Sequence, residues 1–310
     1  MATATTSIGA NSVAINYSVG ATIAELLDAI QAFITTKGWD LFDAAAGPNA
    51  RCYRALNADG TSYKYMVIDG NTANQLFTKV YESWNATTHV GTNLAFNSDV
   101  AQYSQRVSLA TSGYIYVFAN VRWCALLSKI SDGSIGSSTG SSFCGCFEIS
   151  KDNADEVAGQ NPIYAWANGY GITGGMSDGT YPRCFSLPKT KSAATGDSAS
   201  RTMTVVTLAG RTIISTSPLK LTDQLPNITN PWSATNNNFV FTMFAVESKE
   251  SQFNVRGRFY GLKLLSNNLG TPFDLITVKT DADGFYAPTG SDQDHHILTN
   301  TYQNRFALPV

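Results

Sequence analysis

Residues 239–247, Phe-Val-Phe-Thr-Met-Phe-Ala-Val-Glu, are apolar at nearly every position, so a strand here carries apolar side chains on both faces and must be covered on both. That excludes a single exposed sheet. After Ser248, Lys249, Glu250 and Ser251 a second run, 253–265, alternates, with Phe253, Val255 and Phe259 on one face and Asn254, Arg256, Arg258 and Tyr260 on the other. The pair reads as the core hairpin of a large antiparallel domain. The second face is polar, aromatic and cationic, which makes Asn254, Arg256, Arg258 and Tyr260 candidate subunit-interface residues.

The first 90 residues have a different pattern. Thr22-Ile-Ala-Glu25 fits a capping box, in which the threonine hydroxyl and the glutamate carboxylate each satisfy a backbone N–H at a helix start. Ile23, Leu26, Leu27, Ile30, Phe33 and Ile34 then recur at helical spacing, Gly38 supplies a left-handed stop, and Trp39 can fold back onto Ile34. Strands are predicted at 39–42, 51–56, 61–68 and 75–84, with Asn57-Ala-Asp-Gly60 and Asp69-Gly70-Asn71 as turns.

From residue 102 no long helical pattern appears. Short β-like runs at 102–109, 114–119, 122–129, 143–150, 163–167, 202–208 and 211–215 alternate with Gly, Ser and Asn, and 131–142 and 169–200 read as long exposed loops. The expected fold is mainly β. A small N-terminal α+β domain, one amphipathic helix on an antiparallel sheet, spans 1–90; a large antiparallel β-sandwich-like domain with Gly/Ser loops spans 91–285; an extended C-terminal tail spans 286–310. In that tail Ile297, Leu298, Tyr302 and Phe306 retain apolar character and are candidate interface residues, able to lie on their own domain or to reach a neighbouring subunit.

Charged residues are only 14% of the chain, against roughly 25% in typical domains, and the formal net charge is −2. With Lys and Arg dispersed, there is no basic stripe to neutralise phosphates, so nucleic acid is not an expected partner. No apolar run approaches the roughly 20 residues of a membrane helix, so membrane insertion is not expected either. The first residues lack the basic and apolar segments of a signal peptide, which places the product in the cytoplasm when made. The five cysteines, Cys52, Cys124, Cys144, Cys146 and Cys184, are odd in number and scattered, which argues for buried free thiols over a closed disulfide framework. A pairing of Cys124 with Cys144 or Cys146, or a bridge between subunits, stays open.

Several motifs fail on context. Gly169-Tyr-Gly171-Ile-Thr-Gly174 has dinucleotide-fingerprint spacing, but the next residues, Gly175-Met-Ser-Asp-Gly-Thr-Tyr-Pro182, cannot begin a helix. Gly136-Ser-Ser138-Thr-Gly140 has nucleophile-elbow spacing inside a Ser/Gly loop. Asp281-Ala-Asp-Gly284 opens like a calcium loop but lacks the closing glutamate. His295-His296, after Asp292 and Asp294, is the densest cluster of metal-capable groups, yet adjacent strand residues point apart, so one chain offers only part of a site. His89 has no acidic neighbour in sequence and reads as a loop residue. No catalytic residue, cofactor or metal is assigned.

Lys79-Val-Tyr-Glu-Ser-Trp-Asn-Ala-Thr-Thr-His-Val-Gly-Thr-Asn93, and Arg122-Trp123 together with Phe147-Glu-Ile-Ser-Lys-Asp152, resemble segments of virion structural proteins from large contractile-tailed bacteriophages. The helix and turn at 22–39, Arg256-Gly-Arg-Phe-Tyr-Gly-Leu-Lys-Leu264 and Thr280-Asp-Ala-Asp-Gly-Phe-Tyr286 are similar to such proteins too. The resemblance implies a particle component of tail, baseplate or neck, assembled in the host cytoplasm with other copies of itself and other virion proteins. It carries over no catalytic residue. The alternative is a receptor- or glycan-binding module at the virion tip, with Tyr164, Trp166, Tyr170 and Tyr181 stacking on a host surface glycan. A polysaccharide-degrading enzyme would need paired carboxylates, for which Glu148 with Asp152 or Asp155 are the candidates.

Overall fold

The computed structural model describes residues 3–71, 74–94, 106–109, 111–130, 141–149, 163–168, 183–186, 203–207, 210–213, 243–249, 255–265, 275–280, 291–297 and 305–310. The chain opens with strands β1 (Thr3–Gly9) and β2 (Ser12–Tyr17), then helix α1 (Ile23–Ile34) and a single 3-10 turn (Thr35–Lys37). Strands β3 (Asp40–Gly47), β4 (Ala50–Leu56), β5 (Tyr63–Asp69), β6 (Gln75–Asn85), β7 (Val90–Leu94) and β8 (Arg106–Ser108) follow. Next come β9 (Gly113–Asn120), β10 (Trp123–Ile130), β11 (Ser141–Glu148), β12 (Ile163–Asn168) and β13 (Arg183–Ser186). The last group is β14 (Met203–Thr207), β15 (Gly210–Ile213), β16 (Met243–Lys249), β17 (Val255–Leu265), β18 (Leu275–Thr280), β19 (Ser291–Ile297) and β20 (Arg305–Pro309).

Among the described residues the strands form three antiparallel sheets beside one α-helix, so the fold is mainly β, as the sequence patterns imply. The first sheet runs β1-β2-β9-β10-β11-β12-β13, the second β15-β14-β16-β17-β20-β19-β18, and the third β3-β4-β5-β6-β7 with β8 on β6. β2 pairs with β9, from Ser12 opposite Phe118 to Tyr17 opposite Gly113, so backbone pairing crosses residue 90.

The helix starts where its capping box lies. Glu25 N–H donates to Thr22 Oγ1 (3.2 Å), and Thr22 N–H donates to Glu25 Oε2 (2.8 Å). Leu26, Leu27, Ile30 and Ile34 are buried, and Gly38 takes φ +87°, which lets Trp39 N–H reach the Ile34 carbonyl. These residues share one core with Met66, Ile68 and Val80 of the third sheet and with Ile15, Val117, Cys124, Leu126 and Cys144 of the first. The other face of the first sheet is also covered, since Phe118, Trp123, Ala125, Leu127 and Phe147 are buried. The first sheet is therefore the central layer.

The expected 239–265 hairpin exists as β16 on β17, interior to the second sheet, with Met243 opposite Leu265. Its alternation is broken by a bulge: Ala245 pairs with Lys263 and Glu247 with Arg258, so Phe259, Tyr260, Gly261 and Leu262 oppose Val246 alone. The bulge leans on the central sheet. Phe259 bridges to Ile149, and Gly261, at φ +70°, lies against Trp123, where a Cβ would stand 2.5 Å from the indole Nε1. The segment expected as a tail contributes β19 and β20, with β20 hydrogen-bonded to both β17 and β19. Among the described residues, no helix is long and apolar enough to cross a membrane.

Candidate functional site

The strongest polar constellation lies between the third and first sheets. Lys64 on β5 and Glu148 at the end of β11 are 84 residues apart and both fully buried, with Nζ 3.0 Å from Oε2. Lys64 also donates to the Leu56 carbonyl (3.1 Å), and its ammonium lies 5.7 Å from the centroid of the Trp39 ring. Glu148 Oε1 accepts from Ala58 N–H at 2.6 Å, in the turn that joins β4 to β5. Arg122 Nη1 stands 3.6 Å from Glu148 Oε2, and its guanidinium covers the Tyr260 ring at 5.6 Å. Burial pushes the Lys64 pKa down, against the pull of the adjacent Glu148 carboxylate. With Oε1 and Oε2 both held by donors, Glu148 has the surroundings of a fixed counter-ion. Its nominated catalytic partners Asp152 and Asp155 lie outside the described residues.

A second constellation clasps the third sheet. In that sheet β3 shifts register against β4 between Leu41 and Asp43 and again between Asp43 and Gly47. The same sheet carries a small separate cluster of buried Ala50, Cys52 and Val67 with Phe42, Ala46, Tyr65, Tyr81 and Trp84 packed against it. Asp43 closes it: its buried carboxylate accepts from Trp84 Nε1 and from His89 Nδ1, each at 2.8 Å, and from Ala45 N–H at 2.9 Å. Burial alone raises the Asp43 pKa, but the bonds from His89, Trp84 and Ala45 outweigh it and hold the carboxyl below its ordinary value. His89, read from sequence as lacking an acidic partner, thus has one from 46 residues away, and it adopts φ +56° to meet it. Its half-exposed imidazole is oriented by a carboxylate, as a general base would be. Among the described residues it has no second hydrogen bond that would make a hydroxyl or thiol its nucleophile.

The thiols are buried and free, as expected: Cys52, Cys124, Cys144 and Cys146. Burial pushes all four up, Cys144 and Cys146 to about 12, so none is a thiolate near neutrality. Cys124 and Cys146 are direct cross-strand partners, and Gly145, next to Cys146 and opposite Ala125, lets β10 approach to where a Cβ would stand 2.5 Å from the Cys124 carbonyl oxygen.

The interface candidates separate. Tyr260 is half-buried in the β17 bulge beneath Arg122, and Arg256 and Arg258 lie along β17 before that bulge. Ile297 pairs with Ala307, and Phe306 with Leu264, inside the second sheet. Asn254, Leu298 and Tyr302 lie outside the described residues. So do Tyr170 and Tyr181, whereas Tyr164 and Trp166 occupy β12 at positions opposite Phe147 and Gly145. His295 is buried in β19 with Nδ1–H donating to the Gln293 carbonyl (3.0 Å), and Asp292 and Asp294 are exposed. Among the described residues, no three His, Cys, Asp or Glu side chains converge as a metal site. Of the loops expected at 131–142 and 169–200, residues 141–142 instead open β11 and 183–186 form β13, because each run pairs with a neighbouring strand; 131–140, 169–182, 187–200 and the Asp281-Ala-Asp-Gly284 turn are outside the described residues. Sequence reasoning missed Lys64 and Asp43; each is a charge flanked directly by apolar or aromatic residues, Tyr63 and Tyr65 in one case and Phe42 and Ala44 in the other, which is the signal that could have found them.

No protein-family model matches the chain, and no curated protein matches it.

Proposed function

We propose that this chain is a non-enzymatic structural component of a phage particle, assembling symmetrically in the tail, baseplate or neck with copies of itself and with other virion proteins. The observation that carries the reading is the use made of Glu148. The carboxylate nominated for hydrolysis is fully buried against Lys64, bound by Ala58 N–H and flanked by Arg122, which suits fastening of layers and not proton transfer to a substrate. The few charges, 14% of the chain, are consistent with a particle part that meets neighbours through polar uncharged surface. The segment resemblance supplies the particle. The test is to purify virions of the phage that encodes the chain, digest them and search for its peptides by mass spectrometry, then locate it with a gold-tagged antibody. Label at tail, baseplate or neck supports the reading, label at distal fibres favours a receptor-binding part, and absence of the peptides overturns both.

A further inference from the structure

β1 is the end strand of the central sheet, and among the described residues it pairs with β2 alone. An end strand leaves alternate N–H and C=O groups pointing outward, which are ready to pair with another chain; proteins ordinarily guard such an edge with Lys, Pro, a bulge or a cover. β1 reads Thr-Ala-Thr-Thr-Ser-Ile-Gly, with no charge and no proline. Its one irregularity, between Ser7 and Gly9, lies at the far end, where Gly9 packs against Val310. Ahead of it Ala4, Thr5, Thr6 and Ser7 are all exposed. Since successive strand residues face opposite ways, four exposed in a row mean that neither face of this stretch is covered. The other sheet ends differ. β3 carries Asp40 and Asp43, β13 Arg183, β15 Arg211 and β18 Lys279, and β7, also uncharged, is only five residues long.

We infer that the outer edge of β1 is an assembly interface, on which β1 of a second copy of this chain adds as an antiparallel strand about a two-fold axis. The occupant follows from the chemistry. An outward backbone edge is satisfied by another extended strand, and antiparallel pairing of a segment with itself is isologous, so one set of groups serves both sides. Residues 3–7 are small or β-branched and uncharged, so no register sets like charges or bulky groups against each other, and threonine opposite threonine or serine is a favourable cross-strand pair. Two seven-stranded sheets would then continue as one. The inference deepens the assembly reading, but its test uses purified protein alone, so failure here and absence from virions are separate results.

The experiment is light scattering on size-separated full-length protein across a wide concentration range, for the wild type, Thr5→Lys with Thr6→Lys, and Thr6→Pro. The expected wild-type mass is twice 33.3 kDa, and both variants should fall twofold to the single-chain mass with unchanged circular dichroism. Single cysteines placed at Ala4, Thr5 or Thr6 in turn should give an oxidised inter-chain dimer, strongest at the position nearest the axis. The Lys pair changes only exposed side chains, so it remains decisive where the proline variant fails to fold. A single-chain mass for the wild type, a dimer indifferent to the Lys pair, or open-ended growth with concentration would each overturn the inference.

Discussion

Replacing Glu148 by Gln removes one charge from a site where Lys64 and Glu148 are both essentially inaccessible to water. The amide oxygen of the new side chain can still accept from Ala58 N–H, so the backbone bond survives and the loss isolates the ion pair. An ammonium left buried without its counter-ion costs about 3–5 kcal/mol. Lys64 can relieve part of this by giving up its proton. Its folded-state pKa already lies below the ordinary 10.5, and without Glu148 it falls further. Between the two values the unfolded chain binds more protons, so the variant gains stability as pH rises, by up to about 1.4 kcal/mol per pH unit. Lys64→Met with Glu148→Gln removes both charges and should return to within about 2 kcal/mol of the wild type. Urea denaturation followed by tryptophan emission measures the wild type, each single variant (Glu148→Gln and Lys64→Met) and the double, since Trp39 lies beneath the Lys64 ammonium. Single variants each within about 0.5 kcal/mol of wild type, the range of ordinary surface changes, would refute the reasoning. So would a double variant as costly as the two singles added together.

Gly261→Ala should destabilise more than Gly60→Ala: both glycines have positive φ, costing about 1 kcal/mol or more, but only at Gly261 does the added Cβ also meet Trp123. Paired thermal melts check the order. Asp59, raised by burial but lowered further by bonds from Thr61 and Ser62, sits at about 2 instead of the ordinary 3.8, so its contribution is full above 3.8 and is lost as pH falls through 2. Asp59→Ala should therefore be less stable than wild type at neutral pH and converge with it at the acid end of a pH series of melts. Cys52, Cys124, Cys144 and Cys146 should resist a thiol reagent at pH 8 in the folded protein and react once guanidinium unfolds it. Reaction of more than one thiol per folded chain, Cys184 being the fifth, would contradict the burial described.

What was legible depended on distance along the chain. The helix announces itself locally, because Thr22, Glu25, the apolar stripe and Gly38 all fall within one short segment. The β16–β17 hairpin is equally local, although its register shifts once between Ser248 and Lys249 and again across residues 259–262. There the run Phe259-Tyr260-Gly261-Leu262 still looks like strand, and only the glycine hints at the bulge, because the reason for it is Trp123 in another sheet. The partners of Lys64 and Asp43 were invisible for the same reason: 84 and 46 residues separate the pairs, and no spacing rule spans such gaps. The pairing of β2 with β9, across an intervening helix and six strands, belongs to the same class. The doubly apolar character of 239–247 is matched in the central sheet by β10, where residues from Trp123 to Ser128 are buried without a break.

That burial explains why the polar contacts of this molecule form a line through its layers. A central sheet covered on both sides leaves no water for a charge at its margin, so Glu148 requires partners from the neighbouring sheets. Lys64 reaches it from β5 in the third sheet, and Arg122, from the turn between β9 and β10, carries the contact on to Tyr260 in the β17 bulge of the second. The bulge is what brings Tyr260 within reach: regular pairing would have kept residues 259–262 in the ladder with β16, away from Ile149 and Trp123. Irregular backbone in one sheet and a buried charge in another are thus two ends of one arrangement, in which directional contacts set how three otherwise slippery apolar faces stack.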